Sequence, residues 1–432
     1  MPLSRPRRTA RPTLLAHVPP HAVPAGLCAL ALTVCSAPVA WADEVSPAPS
    51  ASAATVRLPV VPGSLGSGAA CTGPSPTTMS VVPWTHAVLG LSGVRAYSRG
   101  AGVTVAVVDS GVEPGAHGLG GRVEAVGDAD EDCVGHGSFV AGLVAADDDG
   151  TGADLGGMAP DARVLAVRGT DARGRTDAGL VAAGIRAAAD ARAGVIAVPL
   201  ALSRGSEELT AAVRYATGRD CLVVAAAVPD TASDATAAAS ASGASDASGG
   251  TGDAARSARF WPASDEGVLS VLDFGPDGTR PDGAPEPVGA DLAAPGDKVV
   301  GTGPRGAGSF TGTGASFATA YVAGAAALVR SRYPDLSAEE TARRLTGTAY
   351  PADVPRLDTY AALTVVPDGD RATAPRKAAA GRVVLSLPRE DPGPRRVALL
   401  VGAAGLLAVL AAAAVRGAVR ARRGRRDSAA QG

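Results

Sequence analysis

Lysine is almost missing from this chain. Only Lys298 and Lys377 occur, so the basic charge is carried by arginine. Aromatic residues make up 3% of the chain, which rules out a core built on Phe, Tyr and Trp and leaves Ala, Val and Leu to fill it. No acidic residue precedes Asp43. Histidine is scarce at five residues, and neither His117 nor His136 stands at ligand spacing with Cys133, so no metal site and no cofactor are expected. Asp147-Asp148-Asp149-Gly150 opens like a calcium loop but lacks the later liganding positions, and reads as a solvated turn. What is abundant is Gly (55), Pro (33) and small apolar residues. With 46% of residues hydrophobic, a sizeable core is expected and global disorder is excluded.

Both ends read as targeting segments. Arg5, Arg7, Arg8 and Arg11 precede an apolar run from Ala25 to Val39, which closes on Ala40-Trp41-Ala42. This is the layout of a secretory signal peptide spanning residues 1–42. Val34 is too large for the position before a lipid-modified Cys35, which disfavours a lipid anchor. Toward the other end, Val397 to Val415 is uncharged, apolar and long enough for a transmembrane helix. Arg395 and Arg396 precede it, and six arginines between Arg416 and Arg426 follow. The heavier basic side places residues 416–432 in the cytoplasm as a basic tail. The expected localisation is the cell membrane, single-pass, with the main domain extracytoplasmic.

Between these ends, residues 43–394 hold 28 basic and 41 acidic side chains, an acidic balance that argues against nucleic acid as a partner. Three cysteines lie there. An odd number outside the cytoplasm allows one disulfide and one free thiol. Cys221 begins an apolar strand-like run and reads as a small buried residue, so Cys71 is expected to pair with Cys133.

Residues 43–100 form an N-terminal extension that is Ala/Ser/Pro/Gly-rich and irregular as far as 82. From Val103, apolar runs alternate with helical stretches. Strands are predicted at 103–108, 163–167, 195–202, 222–228, 268–272 and 298–300. Helices are predicted at 136–146, 178–191, 209–217 and 316–333, with a capping box at Ser337 opening another. Alternation of this kind predicts an α/β domain over 101–365, with a mostly parallel central sheet covered on both faces. Residues 229–258 are a low-complexity insertion, and 366–396 a Pro/Gly/Arg-rich linker.

Three loops carry chemistry. Asp109 ends the first strand, at the sheet edge where doubly wound folds build sites. His136 lies between Gly135 and Gly137 at a helix start. Ser316 opens the long helix, where backbone N–H groups and the helix dipole favour negative charge. A serine hydroxyl is a weak nucleophile until an imidazole takes its proton, and a carboxylate must orient that imidazole. Each residue alone has a plain structural reading as a turn former, a core histidine or a helix cap. All three at element boundaries point to nucleophilic catalysis.

With these residues in view, the chain resembles the subtilisin-like serine proteases, and more narrowly the mycosins, the membrane-anchored proteases associated with type VII secretion in actinobacteria. The likeness runs over roughly residues 70–362. It rests on Pro83-Trp84, on Arg99 to Gly111, on Gly135-His136-Gly137, and on Ser316 to Gly324 continuing to Leu336. The resemblance implies a subtilisin-like three-layer sandwich and a catalytic triad of Asp109, His136 and Ser316. It implies an extension that wraps the domain rather than acting as a cleaved inhibitor. It also implies a peptide or protein substrate, and a type VII secretion membrane complex as partner.

Several positions depart from the pattern. The family's strand like Val223–Ala227 runs on to Gly-Asn, whose side chain completes the oxyanion hole. The matching positions here read Val228-Pro229. Loss of such a donor costs about 10²–10³ in turnover. Ala315 and Ser138 replace threonines, and Pro199 removes a backbone donor from the segment expected to line the substrate. Asp230 and Ser233 are nearby candidates to fill the gap, although a carboxylate repels an oxyanion and Ser233 lies at the edge of the low-complexity insertion. The expectation is an endopeptidase of reduced activity. The alternative is an inactive subunit that stabilises the secretion complex.

Overall fold

The computed structural model describes residues 56–147, 155–230, 257–366 and part of a helical stretch between 407 and 418. The expected signal peptide, nearly all of the 229–258 insertion and of the linker, and most of the apolar run and basic tail lie outside the described residues. Among those described, no helix is long and apolar enough to cross a membrane.

In chain order, the short helices α1 (Trp84–Leu89) and α2 (Leu91–Arg95) lead into β1 (Thr104–Asp109) and β2 (Val123–Ala125). Then come α3 (His136–Ala145), β3 (Arg163–Arg168), α4 (Ala178–Asp190), β4 (Val195–Val198), α5 (Glu207–Thr217) and β5 (Leu222–Ala226). The second half holds β6 (Ser257–Ala258), β7 (Val268–Phe274), β8 (Glu286–Pro287), β9 (Leu292–Pro295), β10 (Val299–Thr302) and β11 (Ser309–Gly312). It ends with the helices α6 (Ala315–Arg332), α7 (Ala338–Gly347) and α8 (Thr359–Thr364). Seven strands form one sheet in the order β2-β3-β1-β4-β5-β7-β9. Every pairing within it is parallel.

The parity of the strand residues decides what each face covers, because successive side chains point to opposite faces. Val105, Val107, Val164, Ala166, Val195, Ala197, Leu222 and Val224 face one way and pack with α3 and α6. Their neighbours Ala106, Val108, Leu165, Val167, Ile196, Val198, Val223 and Ala225 face the other and pack with α4 and α5. Burial on both faces requires these near-continuous apolar runs. The scarcity of aromatics is met by close approach. In α6 every residue from Ala315 to Val329 is buried, and a Cβ on Gly324 would lie 2.5 Å from Met158.

Predicted and observed boundaries differ where backbone donors matter. β4 stops at Val198 rather than 202, since Pro199 has no N–H for the ladder. The helix expected from Leu209 starts at Glu207, because the Ser206 side chain accepts from the Leu209 N–H and caps it. Asp177 caps α4 in the same way, and Ser337 and Glu340 form the predicted capping box of α7. The strand predicted at 298–300 is β10, whereas the short α1, α2 and α8 and β11, the partner of β10 in its hairpin, have too few residues to display a period and were missed by sequence reasoning.

Residues 58–82 have no helix and no named strand, yet they are tied down. The Val61 N–H donates to Thr311 O at 2.9 Å, Thr311 N–H to Pro59 O at 2.9 Å, and Ser309 N–H to Thr77 O at 2.7 Å. Cys71 and Cys133 form a disulfide across 62 residues of sequence. Cys221 is free and buried, and burial pushes its thiol pKa up.

Candidate active site

β1 lies where the order of the sheet reverses, with β3 on one side and β4 on the other. The crossovers part at its carboxyl end, which opens a crevice there. Asp109 is the last residue of β1 and is buried. Its Oδ2 accepts a hydrogen bond from His136 Nδ1 at 2.8 Å, and its Oδ1 accepts from the Ser110 N–H at 2.6 Å. His136 is the first residue of α3. The approach of α3 to β1 is possible only because residue 137 is glycine, since a Cβ there would lie 2.0 Å from Gly111 O. The imidazole also packs against Phe317, with ring centroids 5.3 Å apart.

A buried carboxylate missed by sequence reasoning organises this corner. Asp132 Oδ1 accepts from Ser110 Oγ–H at 2.9 Å and from the Gly135 N–H at 2.7 Å. Its Oδ2 accepts from the Ser138 N–H at 2.8 Å and the Ser138 hydroxyl at 2.7 Å. Ser110 Oγ in turn accepts from the Gly137 N–H at 3.0 Å, and Ser138 Oγ from the Glu113 N–H at 2.9 Å. Asp132 therefore ties the loop after β1 to the first turn of α3, fixing Asp109 relative to His136. The available signal was weak, one acid among three in Asp130-Glu131-Asp132. Next to it, the Thr72 N–H donates to Cys133 O at 2.9 Å, so the N-terminal extension braces the same loop.

Ser316 lies in the first turn of α6, and it is buried. Its helix has no side-chain cap from Gly314. The cap comes from the segment after β5. Asp230 Oδ1 accepts from the Ser316 N–H at 3.0 Å, and Asp230 Oδ2 accepts from the Ser316 hydroxyl at 2.7 Å. The same Oδ2 is 3.7 Å from His136 Nε2. The residue that faces Ser316 is Asp230, not Pro229. The nucleophile position is not short of a polar partner but holds an acidic one. Ser316 donates its hydroxyl proton toward this carboxylate and not toward His136.

The electrostatics follow. Burial works against the charged imidazolium of His136, but the Asp109 charge and hydrogen bond, joined by those of Asp230, outweigh it and raise the His136 pKa well above 6.5. Nearby on β7, burial raises the Asp273 carboxyl pKa, while a salt bridge from Arg280 at 2.8 Å opposes the shift. Among the described residues no cluster of His, Cys, Asp and Glu has the arrangement of a metal site. Asp109, His136, Ser316 and Asp230 thus form one contiguous polar chain at the sheet edge. Its elements are an imidazole held by a carboxylate, a helix-terminal serine, and a backbone N–H suited to an anion.

A parallel sheet with a buried Asp–His pair and a serine at the start of a central helix is the architecture of a serine protease of the subtilisin type. Residues 100–381 match the subtilase family, peptidase S8, and the chain belongs to that family. Within it the likeness is to the mycosins. The chain is 32% identical over 420 residues to Mycosin-3 of Mycobacterium tuberculosis, spanning 84% of this chain and 90% of that one. It is 32% identical to thermitase of Thermoactinomyces vulgaris over 62% of this chain. A solved structure of the MycP3 protease from the type VII (ESX-3) secretion system superposes with a TM-score of 0.55 at 30% identity, covering 72% of this chain and 98% of that one. The crystal structure of MycP1 from Mycobacterium smegmatis superposes with a TM-score of 0.56 at 26% identity, covering 73% of this chain and 94% of that one.

Proposed function

We propose that this chain is a membrane-anchored, extracytoplasmic serine endopeptidase that works with a type VII secretion complex, and that its turnover is held low. Asp109 orients His136, His136 takes the Ser316 proton, and Ser316 attacks the peptide carbonyl to form an acyl-enzyme, which water then hydrolyses. The observation that carries this reading is the 2.8 Å bond from Asp109 to His136 beside a serine at the N-terminus of the central helix. The reduced turnover rests on Asp230, whose carboxylate lies where an oxyanion needs a donor. The anchor rests on residues 397–415 and the arginines that follow them. The association with secretion machinery rests on the mycosin likeness.

The test uses the full-length chain in detergent with a fluorophosphonate probe. Stoichiometric labelling that disappears in Ser316→Ala is the expected result, and a folded protein that never labels would overturn the assignment. A second reading, a non-catalytic subunit that stabilises the complex, is favoured by the hydrogen bond that diverts the Ser316 hydroxyl to Asp230. It expects Ser316→Ala to restore secretion as well as the natural chain does in cells lacking the gene.

A further inference from the structure

We propose that the groove between α1, the end of β7 and the start of α8 is a docking site for the chain's own linker, and that residues 383–387 are the segment it takes. The proposal goes beyond the endopeptidase reading and does not depend on the reactivity of Ser316.

The groove lies at the β7 end of the sheet, three strands along from β1 and the site there. It encloses about 450 Å³, and Trp84, Phe274, Tyr350 and Tyr360 line it. Its walls are fixed by their own contacts. The Trp84 Nε1–H donates to Lys298 O at 3.1 Å, and the indole lies 6.2 Å from the Phe274 ring. Arg356 stacks over Phe274 at 4.8 Å and donates to Gly278 O at 2.6 Å. Tyr360 meets Tyr97 edge-on at 5.5 Å. Tyr350 is nevertheless 65% exposed, Val88 55% and Tyr360 49%. Apolar surface gathered on a preformed concave wall marks a binding face. An independent observation points the same way. Thr359 lines the groove and is 2% exposed, and its Oγ1 has no hydrogen-bond partner among the described residues. A buried hydroxyl left in that state is costly. The backbone of an extended occupant would supply the missing partner.

The chain itself carries a fitting occupant. α8 forms one wall of the groove, and the described domain ends at Val366, two residues after α8. Residues 367–396 hold four large apolar side chains, and all four fall within Val383-Val384-Leu385-Ser386-Leu387. In an extended chain Val383, Leu385 and Leu387 point the same way, which gives one apolar edge about 17 Å long. Arg382 and Arg389 flank the run. Asp277 and Asp358 are among the residues that line the groove, so the charges are complementary. Arg356 is engaged by Phe274 and Gly278 and does not oppose them. From Val366 to Val383 is 17 residues. A flexible segment of that length has a mean span of about 20–25 Å. It holds the run near the groove at an effective concentration on the order of mM, where even a weak site fills.

Docking changes the tether, a consequence that rests on the reading of residues 397–415 as a membrane anchor. The 31 residues from Val366 to Val397 could stretch about 100 Å. With 383–387 held in the groove, the residues from 388 to 397 leave about 30 Å between groove and span. The Asp109–His136–Ser316 site then works at a set height above the bilayer, on substrates presented there.

The test uses the full-length chain in detergent, with Cys28→Ser and Cys35→Ser so that the buried Cys221 is the only native free thiol. Tyr350→Cys combined with Leu385→Cys is expected to form a disulfide within one chain under mild oxidation. Val126→Cys combined with Leu385→Cys is expected to form none, because Val126 is exposed beside β2 at the opposite edge of the sheet. In Tyr350→Cys alone, replacing 383–387 by a Gly/Ser run is expected to speed maleimide labelling about tenfold. A disulfide that joins two chains would mean that a second copy fills the groove. Equal disulfide in both pairs would mean that the run samples the surface without a site. No disulfide and unchanged labelling would leave the groove to another protein or to the bilayer. Each of these three results overturns the inference. A chain that fails to float with proteoliposomes overturns the anchor reading, while a disulfide within one chain still supports docking.

Discussion

Asp132 shows how much a single buried carboxylate can hold. Its two oxygens accept four hydrogen bonds from Ser110, Gly135 and Ser138. Asp132→Ala leaves those donors buried without a partner. It is expected to cost about 3 kcal/mol or more in denaturant unfolding, and to lower kcat with little change in KM, because His136 loses its position and not its chemistry. His136 makes a pH-dependent contribution to stability. Its pKa in the fold is raised above the ordinary 6.5. The stabilisation it adds is therefore complete below that ordinary value and is lost as pH rises through the folded value. Urea unfolding as a function of pH should show this loss above 6.5 in the natural chain and not in His136→Gln. The same slope in both would place the pH dependence elsewhere.

Elements meet closely here because small residues let them. α3 can start against the end of β1 only with no side chain at 137, where a Cβ would strike Gly111 O and come within 3.1 Å of Asp109 Cβ. Gly137→Ala is expected to push the two elements apart, costing about 1–3 kcal/mol, and to abolish labelling of Ser316 while circular dichroism remains native-like. Unchanged labelling would show that the contact is not needed for the Asp109–His136 bond. The elements that set the sheet were legible from sequence. Runs such as Val103–Val108 and Leu222–Ala226 are apolar on both faces and bounded by polar turns, and a buried parallel strand requires that composition. Pro199 accounts for the early end of β4. The short α1, α2 and α8 left no trace, since five or six residues complete fewer than two turns and their burial is decided by distant neighbours.

At the scale of the whole molecule, the N-terminal extension is held by long-range ties. Residues 58–82 have little regular structure of their own, and backbone bonds to the β10–β11 hairpin and the Cys71–Cys133 disulfide hold them. Closing a loop across 62 residues is worth about 4 kcal/mol of lost unfolded-state entropy. The double variant Cys71→Ser with Cys133→Ser should lose stability of that order. Limited proteolysis should then cut first within the extension, and a natural-like cleavage rate would show that the backbone contacts suffice.

What the order of residues determined by itself was the layered sheet, because apolar period is a local property, and it marked Asp109, His136 and Ser316 as candidates by their places at element boundaries. The disulfide was also within reach, since of the three cysteines beyond the N-terminal run Cys221 had a clear buried alternative. Only the tertiary structure decided that Asp230, and not Pro229, faces the nucleophile, and that Asp132 binds the first two loops together. Those facts depend on where a chain turns after a strand ends. A shift of one residue there exchanges a proline for a carboxylate, and the hydrogen bonds that choose between them come from one helix, 86 residues away in sequence.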